Sequence, residues 1–280
     1  MTQRSSLCGQ AFQQAVIADP LFQAMQAGNT FHEEQSPVPR ERLRLLTVQH
    51  VDFEGNTQTG QLVMLDVCAA EVLALFQALY KRRFPIARMR LMHYYNGNDI
   101  DSMTDNNTSG YNCRFINNSK KISLHAYGAA IDINPVQNPC VYIDREAATT
   151  TYEPASGIQY ANRRLERLEK NYRKGMAEEV VEIFAQHGFY WWGGDWDTPL
   201  DYHHFQLSRS MAELYAVMEP TAAQAAFHQT THYFNQHKRP LELALSQRLE
   251  KDFKKEGALA EYYQENPRQF NRVFQQLTSS

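Results

Sequence analysis

The segment from Ser123 to Pro135 constrains the fold of this chain more than any other part of the sequence. It contains His125 and Asp132 with six residues between them, Gly128 among these. On one helix the two side chains would lie about 10.5 Å apart along the axis, and on one strand about 23 Å apart. An imidazole nitrogen and a carboxylate oxygen that share a metal ion lie within about 3.5 Å of each other. The chain must therefore double back near Gly128, which small residues allow, if the pair is to share an ion.

Taken alone, the His125–Asp132 spacing favours the opposite interpretation, in which a surface histidine and a turn aspartate are unrelated. Ile131 and Ile133 flank Asp132 and indicate a strand with its apolar residues on one face and the carboxylate on the other. A hairpin-like return into this strand is the geometry in which both side chains reach one ion.

A second segment, 191–207, changes the balance between these interpretations. Alternation in its last residues places His204 and Gln206 on one face of a strand and Phe205 in the core. His203 is then expected to face away from His204, so only one of the two histidines is a candidate ligand. Asp201 lies three residues before His204, where a tight turn would let its carboxylate take a proton from water at a metal site.

Aromatic residues and glycines surround this second segment. Trp192 and Trp196 flank the pair Gly193-Gly194, an arrangement that fits the rim of a cleft. Trp191 and Trp192 fit a hydrophobic core equally well.

Together the two segments carry a family resemblance. Ser-x-His-x-x-Gly-x-Ala-x-Asp, then Gly-Gly-Asp-Trp and Asp-x-x-His-Phe, resembles the VanX/VanY-type zinc peptidases of the cell wall. These comprise D-alanyl-D-alanine peptidases and L-alanyl-D-glutamate endopeptidases, and the Trp-Gly-Gly-Asp-Trp text is most similar to the endopeptidase branch. The resemblance runs from about residue 43 to residue 207, and includes Asn112-Cys113-Arg114.

The resemblance implies a role for each matching residue. The zinc ligands would be His125, Asp132 and His204. Asp201 would be the catalytic carboxylate, and Arg114 would bind the substrate carbonyl and steady the oxyanion. Substrate contacts would come from Ser123, Trp192 and Trp196. In the family a glutamate often follows His-Phe, and this chain has Gln206 at that position. The difference puts in question how the residues around the ligands adjust the metal site, and not catalysis itself.

The composition is that of a globular chain. Its 280 residues are 43% hydrophobic and 21% charged, and the net charge of −3 argues against nucleic acid as a partner. The longest apolar runs are too short to span a membrane. The expected partner is a peptidoglycan stem peptide, which implies a periplasmic or secreted location. The first residues show no apolar region of the kind an export signal has.

Four cysteines at wide spacing argue against a disulfide scaffold or a structural zinc site. Cys113 and Cys140 bracket the first segment, and spacing alone leaves a disulfide between them open. Cys113 lies beside Arg114, but the sequence shows no histidine partner for it, which argues against a cysteine peptidase.

The predicted fold class is α+β, with a small, mostly antiparallel sheet, packed helices and a helical C-terminal extension. We divide the chain into an N-terminal polar and helical segment (1–40), a zinc peptidase domain (41–218) and the extension (219–280). Predicted strands cover 43–53, 61–65 and 87–95. Predicted helices cover 11–17, 21–27, 69–83, 163–188, 209–218, 220–236, 240–256 and 267–277, with a loop over 96–121.

The expected function is zinc-dependent hydrolysis of a stem-peptide bond. We place L-alanyl-D-glutamate endopeptidase first and D-alanyl-D-alanine carboxypeptidase or dipeptidase second. A wall-binding module with a purely structural zinc ion is a third alternative, which the presence of Asp201 argues against, since a binding module needs no base. The extension is expected to close one end of the cleft.

Overall fold

The computed structural model describes residues 11–117 and 119–279. Its strands are β1 (Phe12–Val16), β2 (Leu43–Val51), β3 (Thr57–Leu65), β4 (Arg88–Met89), β5 (Asn107–Thr108), β6 (Ala130–Asp132), β7 (Cys140–Asp144), β8 (Thr149–Glu153), β9 (Trp191–Trp192), β10 (Leu200–Asp201) and β11 (His204–Gln206). Its α-helices are α1 (Asp19–Ala27), α2 (Ala69–Lys81), α3 (Asp99–Thr104), α4 (Val181–Gln186), α5 (Arg209–Val217), α6 (Pro220–His237), α7 (Leu241–Leu249), α8 (Ala258–Glu265) and α9 (Pro267–Thr278). Helices and small, mainly antiparallel sheets share one chain, so the predicted α+β class is confirmed.

The longest sheet has the antiparallel order β1-β2-β3. The alternating residues of β2 put one face of the sheet in the core, where α2 packs through Val72, Leu75 and Phe76. The predicted strands over 43–53 and 61–65 and the predicted helix over 69–83 are therefore confirmed.

The helix predicted over 11–17 is wrong, because this segment is β1. Its five residues pair with the edge of β2, with Phe12 opposite Val48. The ring of Phe12 packs edge-on against Tyr80 of α2. Backbone pairing with a neighbouring strand thus outweighs a weak local helical pattern. The next predicted helix, over 21–27, is present as α1.

Two further three-stranded sheets, β6-β11-β9 and β10-β7-β8, carry the chemically interesting residues. Between the first sheet and these lies the parallel pair β4-β5. The strand predicted over 87–95 is wrong beyond β4, since residues Met92–Tyr95 form a 3-10 turn. The loop predicted over 96–121 contains α3, whose N-terminal amides of Ile100 and Asp101 are capped by the side chain of Asn98.

The long helix predicted over 163–188 is also largely wrong. Only Val181–Gln186 is α-helical, after a 3-10 turn over Ala177–Glu179. Residues 162–174 form an irregular loop instead. Gly175 explains the break, because its φ of 78° is left-handed and an added Cβ would lie 2.6 Å from the Phe53 ring.

The C-terminal part is helical, as predicted, from α5 to α9. The helix predicted over 240–256 ends at Leu249, and α8 was not predicted. The buried guanidinium of Arg42 holds this region to the first sheet. It pairs with Asp66 at 2.8 Å and donates to the carbonyls of Tyr215, Ala216 and Met218 at the end of α5.

The described cysteines are not joined by disulfides. Cys68, Cys113 and Cys140 are free thiols, so the considered Cys113–Cys140 disulfide is absent, and Cys8 lies outside the described residues. Within 11–117 and 119–279, no helix is long and apolar enough to cross a bilayer. The domain limits at residues 40 and 218 remain a prediction.

Candidate metal centre

His125 lies on a 3-10 turn, Leu124–Tyr127, that begins and ends with specific residues. At its start the Ser123 hydroxyl accepts a hydrogen bond from the His125 amide at 3.2 Å. At its end Gly128 has a φ of 66°, and an added Cβ would lie 2.5 Å from the Leu65 amide nitrogen. The chain doubles back here and enters β6, which brings Asp132 toward His125, as a shared ion requires.

His204 reaches the same point from the neighbouring strand. In the antiparallel pairing of β11 with β6, His204 lies opposite Asp132. The next residue, Phe205, is fully buried and stacks on Phe184 with ring centroids 3.9 Å apart. The predicted alternation of this strand is therefore confirmed, and core packing fixes which face His204 occupies.

The ligand atoms of His125, Asp132 and His204 all lie within 4.8 Å of one another. His125 Nε2 is 3.2 Å from Asp132 Oδ2 and 3.2 Å from His204 Nδ1. His204 Nδ1 is 2.9 Å from Asp132 Oδ1. Ligands about 2.0–2.2 Å from a tetrahedral ion are separated by roughly 3.3–3.6 Å, so these atoms need to move apart only slightly.

The outer nitrogens of both rings have hydrogen-bond acceptors, so in the neutral rings the inner nitrogens carry the lone pairs. His125 Nδ1 donates to the Gly110 carbonyl at 2.6 Å, and His204 Nε2 donates to Gln206 Oε1 at 2.8 Å. In neutral rings the inner nitrogens then face each other and a carboxylate with no proton between them. Such a donor set fits a divalent cation, and the outer contacts fix the ring orientation as they do in metal sites.

The charges of the cluster favour an ionised Asp132. Burial opposes the ionised form, but when the rings are protonated the charges of His125 and His203 and the hydrogen bonds from His125 and His204 outweigh it. The pKa of Asp132 consequently lies well below its usual value. For His204 burial also opposes the charged form, and contacts with Asp132 outweigh it, so the pKa of His204 is raised.

His203 is part of this site, contrary to the prediction that it faces away. Because β11 begins only at His204, His203 lies in the preceding turn and strand alternation does not apply to it. Its Nδ1 donates to the Asn138 carbonyl at 2.8 Å, and its Nε2 is 2.9 Å from Asp201 Oδ1. Although burial opposes the charge on His203, Asp201 and Asp132 raise its pKa to about 9.

A cavity of 520 Å³ opens onto this cluster. Its lining includes all five residues predicted as metal ligands, base and oxyanion partner, which are His125, Asp132, His204, Asp201 and Arg114. Arg114 forms an ion pair with Asp99 at the N-terminus of α3, a partner that the sequence pattern did not predict. Asp99 also accepts a hydrogen bond from the Asn112 side chain at 3.0 Å.

The three predicted substrate contacts differ in position. Ser123 and Trp196 line the cavity, and the Trp196 ring lies 5.4 Å from the His204 ring. Trp192 does not line it, because its ring stacks on Phe205 and its Nε1 donates to the Tyr202 carbonyl. Trp192 is half-buried and packs against the core, and its contact with substrate stays a prediction.

The C-terminal extension lies outside this cavity. Arg209 on α5 is the last residue of its lining, and no described residue of 219–279 takes part. The expectation that the extension closes one end of the cleft is therefore wrong. Its helices pack on α4 and α5 instead.

Comparison with known proteins agrees with this geometry. Residues 117–207 match the model of a family described as D-alanyl-D-alanine carboxypeptidase. The predicted resemblance to the VanX/VanY-type peptidases is confirmed. The matched segment contains His125, Asp132, Asp201 and His204, whereas Arg114 and the C-terminal helices lie outside it. Searches of curated proteins and of solved structures gave no match. The match supports a peptidase of the kind associated with peptidoglycan.

Proposed function

We propose that this protein is a zinc-dependent metallopeptidase that hydrolyses a peptide bond in a peptidoglycan stem peptide. The observation that carries the proposal is the convergence of His125, Asp132 and His204 at the base of a cavity that also holds Asp201 and Arg114. A purely structural metal site is usually closed, with four protein ligands. Three ligands facing a cavity are typical of catalytic sites.

Zn²⁺ held by these three residues would supply a Lewis acid and lower the pKa of a coordinated water molecule. The role we assign to Asp201 is to take a proton from the attacking water and to return it to the departing amine. His203 Nε2 lies 2.9 Å from Asp201 Oδ1 and 3.9 Å from Asp132 Oδ2, so this ring helps to hold the Asp201 carboxylate beside the metal ligands.

Arg114 is the group we assign to the substrate carbonyl. Its guanidinium lies on the cavity wall and is held by Asp99, so that its charge is in place before a substrate arrives. In many hydrolases, fixed positive groups that face the developing oxyanion make the largest contribution to the rate enhancement. Trp196 and Ser123 would contact the remainder of the peptide.

Two stem-peptide bonds are candidates. We place the L-alanyl-D-glutamate bond first, because the Trp-Gly-Gly-Asp-Trp motif resembles the endopeptidase branch. The second candidate is the terminal D-alanyl-D-alanine bond, which the description of the matched family favours. Either substrate lies outside the bacterial cytoplasm, so we also propose a periplasmic or secreted location.

Mass spectrometry of muropeptides digested by the purified, zinc-loaded protein tests this proposal. Release of a terminal D-alanine identifies a carboxypeptidase, and separation of L-alanine from D-glutamate identifies the endopeptidase. Asp201→Ala serves as the control for contaminating peptidases. Zinc at one equivalent with no bond cleaved in any muropeptide would contradict the proposal and favour a binding module.

A further inference from the structure

The irregular loop 162–174 has a defined conformation. Its two arms are joined by the Arg173 amide, which donates to the Leu165 carbonyl at 3.1 Å. A turn at the tip is closed by the Lys170 amide and the Arg167 carbonyl, also at 3.1 Å, with Glu169 in the left-handed region. Leu168 therefore lies in the turn at the tip of a closed loop.

The base of the loop is fixed to the rest of the protein by Arg163. Its guanidinium makes two contacts of 2.7 Å with Glu178 and donates to the Gln137 carbonyl. It also lies 4.3 Å above the Tyr202 ring. The loop is thus held at its base, and the residues at its tip, 168–170, are exposed.

The tip exposes apolar surface to solvent. The Leu168 side chain is 92% exposed, compared with 68% for Val16, the next most exposed large apolar residue described. Tyr172 in the same loop is 44% exposed. Single exposed apolar residues are common on protein surfaces, but an almost fully exposed leucine in a turn surrounded by basic residues is not explained by packing.

The loop is strongly basic in a chain that is acidic overall. After Arg163, residues 164–174 contain five basic side chains (Arg164, Arg167, Lys170, Arg173, Lys174) and two acidic ones (Glu166, Glu169). In the described part of the chain, none of these five forms an ion pair with an acidic side chain. Burial and the charges of Arg167 and Arg163 lower the pKa of Arg173, as expected where positive charges lie close together. Arg173 donates to the Asn162 carbonyl and lies over the Tyr160 ring, and Arg167 Nε is buried. The exposed charges of Arg164, Lys170 and Lys174 are therefore the ones left for an anionic partner.

We propose that the 162–174 loop docks this protein on an anionic phospholipid surface, with Leu168 inserted among the lipids and the basic residues facing the headgroup phosphates. A soluble polyanion would satisfy the basic residues but would give Leu168 no apolar environment. A bilayer interface provides both, and basic residues next to an apolar anchor are the combination that binds such interfaces. The proposal does not depend on the peptidase activity.

Co-sedimentation of the full chain with lipid vesicles tests this surface. We expect binding to vesicles that contain phosphatidylglycerol, weak binding to pure phosphatidylcholine vesicles, and loss of binding at high salt. The triple variant Arg164→Gln, Lys170→Gln, Lys174→Gln should bind about 100-fold more weakly, since each basic residue near such a surface contributes about 1 kcal/mol. Leu168→Asn should weaken binding about tenfold.

Matched controls separate this surface from general charge and hydrophobicity. Lys251→Gln, Lys254→Gln, Lys255→Gln makes the same change in net charge on exposed residues of the extension, and Val16→Asn removes an exposed apolar side chain elsewhere. Both should bind as the parent chain does, with thermal unfolding confirming that every variant is folded. Absence of binding by the parent chain would overturn the proposal. Equal loss of binding in the control triple would also overturn it. Full vesicle binding by Leu168→Asn would overturn it as well, because the basic residues would then bind anions without an apolar anchor.

Discussion

Asp99 holds Arg114 against the wall of the cavity that contains the His125–Asp132–His204 cluster. Asp99 is the first residue of α3, and Arg114 lies in the irregular segment that precedes the 3-10 turn of His125. The two residues are fifteen positions apart in the chain. Their ion pair fixes the orientation of the Arg114 guanidinium. The proposed role of this charge at the substrate carbonyl depends on that orientation.

This pair leads to a kinetic prediction. Asp99→Asn should lower kcat/KM for stem-peptide cleavage by about 10- to 100-fold, because a small displacement of a positioned group costs that much. Most of the loss should fall on kcat, since the oxyanion develops only in the transition state. Asp101→Asn on the exposed side of the same helix is the control and should behave as the parent enzyme. A loss confined to KM would contradict the assignment of Arg114 to the oxyanion.

Metal content should distinguish the ligands from the proposed base. His204→Ala should lose both bound zinc and activity, because two remaining ligands hold the ion poorly. Asp201→Ala should keep one equivalent of zinc and lose activity by about 100- to 10,000-fold, the usual contribution of a general base. Elemental analysis after dialysis measures the metal. Equal activity of Asp201→Ala and the parent would remove Asp201 from the mechanism.

Gln206 should affect the affinity for metal without being a ligand. Its Oε1 accepts the Nε2 proton of His204 and thereby directs Nδ1 toward Asp132. Gln206→Leu should weaken zinc binding by about 10- to 100-fold, as loss of such outer contacts commonly does. Gln206→Glu keeps an acceptor and should retain most of the affinity. Titration against a competing chelator gives the two constants, and unchanged affinity in Gln206→Leu would contradict the role.

The turn between His125 and Asp132 should tolerate no side chain at Gly128. Gly128→Ala should lower the free energy of unfolding by about 3 kcal/mol, through left-handed backbone strain and the close approach of Leu65. Gly257→Ala is a matched control, because Gly257 has a φ of 78° but more open surroundings. It should cost only about 1 kcal/mol. Denaturant unfolding measures both, and equal losses would show that the contact with Leu65 is unimportant.

Stability should depend on pH through Glu71, away from the metal centre. A hydrogen bond from His187, together with the charges of His187 and His228, lowers the pKa of Glu71 below its ordinary value of 4.5 despite partial burial. The ionised carboxylate therefore stabilises the fold fully above pH 4.5, and this contribution is lost as the pH falls through the lower folded-state pKa. Glu71→Gln should cost about 1 kcal/mol at pH 7 and much less in strong acid.

The comparison for Glu71 is Glu265→Gln, an exposed acid near the end of α8. The free energy of unfolding of Glu265→Gln should equal that of the parent chain at every pH. A constant difference between Glu71→Gln and the parent across the acid range would show that the effect is steric rather than ionic.

The sequence predicts the residues of the metal cluster better than it predicts the residues that surround them. The return of the chain at Gly128 follows from distances that any shared ion imposes, and the face of His204 follows from alternation with Phe205. His203 and Asp99 could not be placed in the same way, because both contact their partners from turns or helix ends, where no periodicity applies. Asn98 before Asp99 is a helix-start signal that would have located α3.

The larger errors in the fold arise where tertiary contacts outweigh local preference. Residues 163–174 have the charge pattern of an exposed helix, but Gly175 and the contacts of Arg163 favour a closed loop. Residues 12–16 look weakly helical and become a strand because β2 offers a free edge. Such contacts join residues far apart in the chain, and a single sequence does not display them.

The pairing of β11 with β6 has a consequence for how this chain folds. His125 and Asp132 come from one continuous stretch, while His204 arrives only through the register that sets it opposite Asp132. A slip of one residue would turn His204 to the other side of the sheet. Any cation bound by all three side chains therefore selects for correctly paired molecules, and the amount of bound metal in a preparation counts how many have reached the native state.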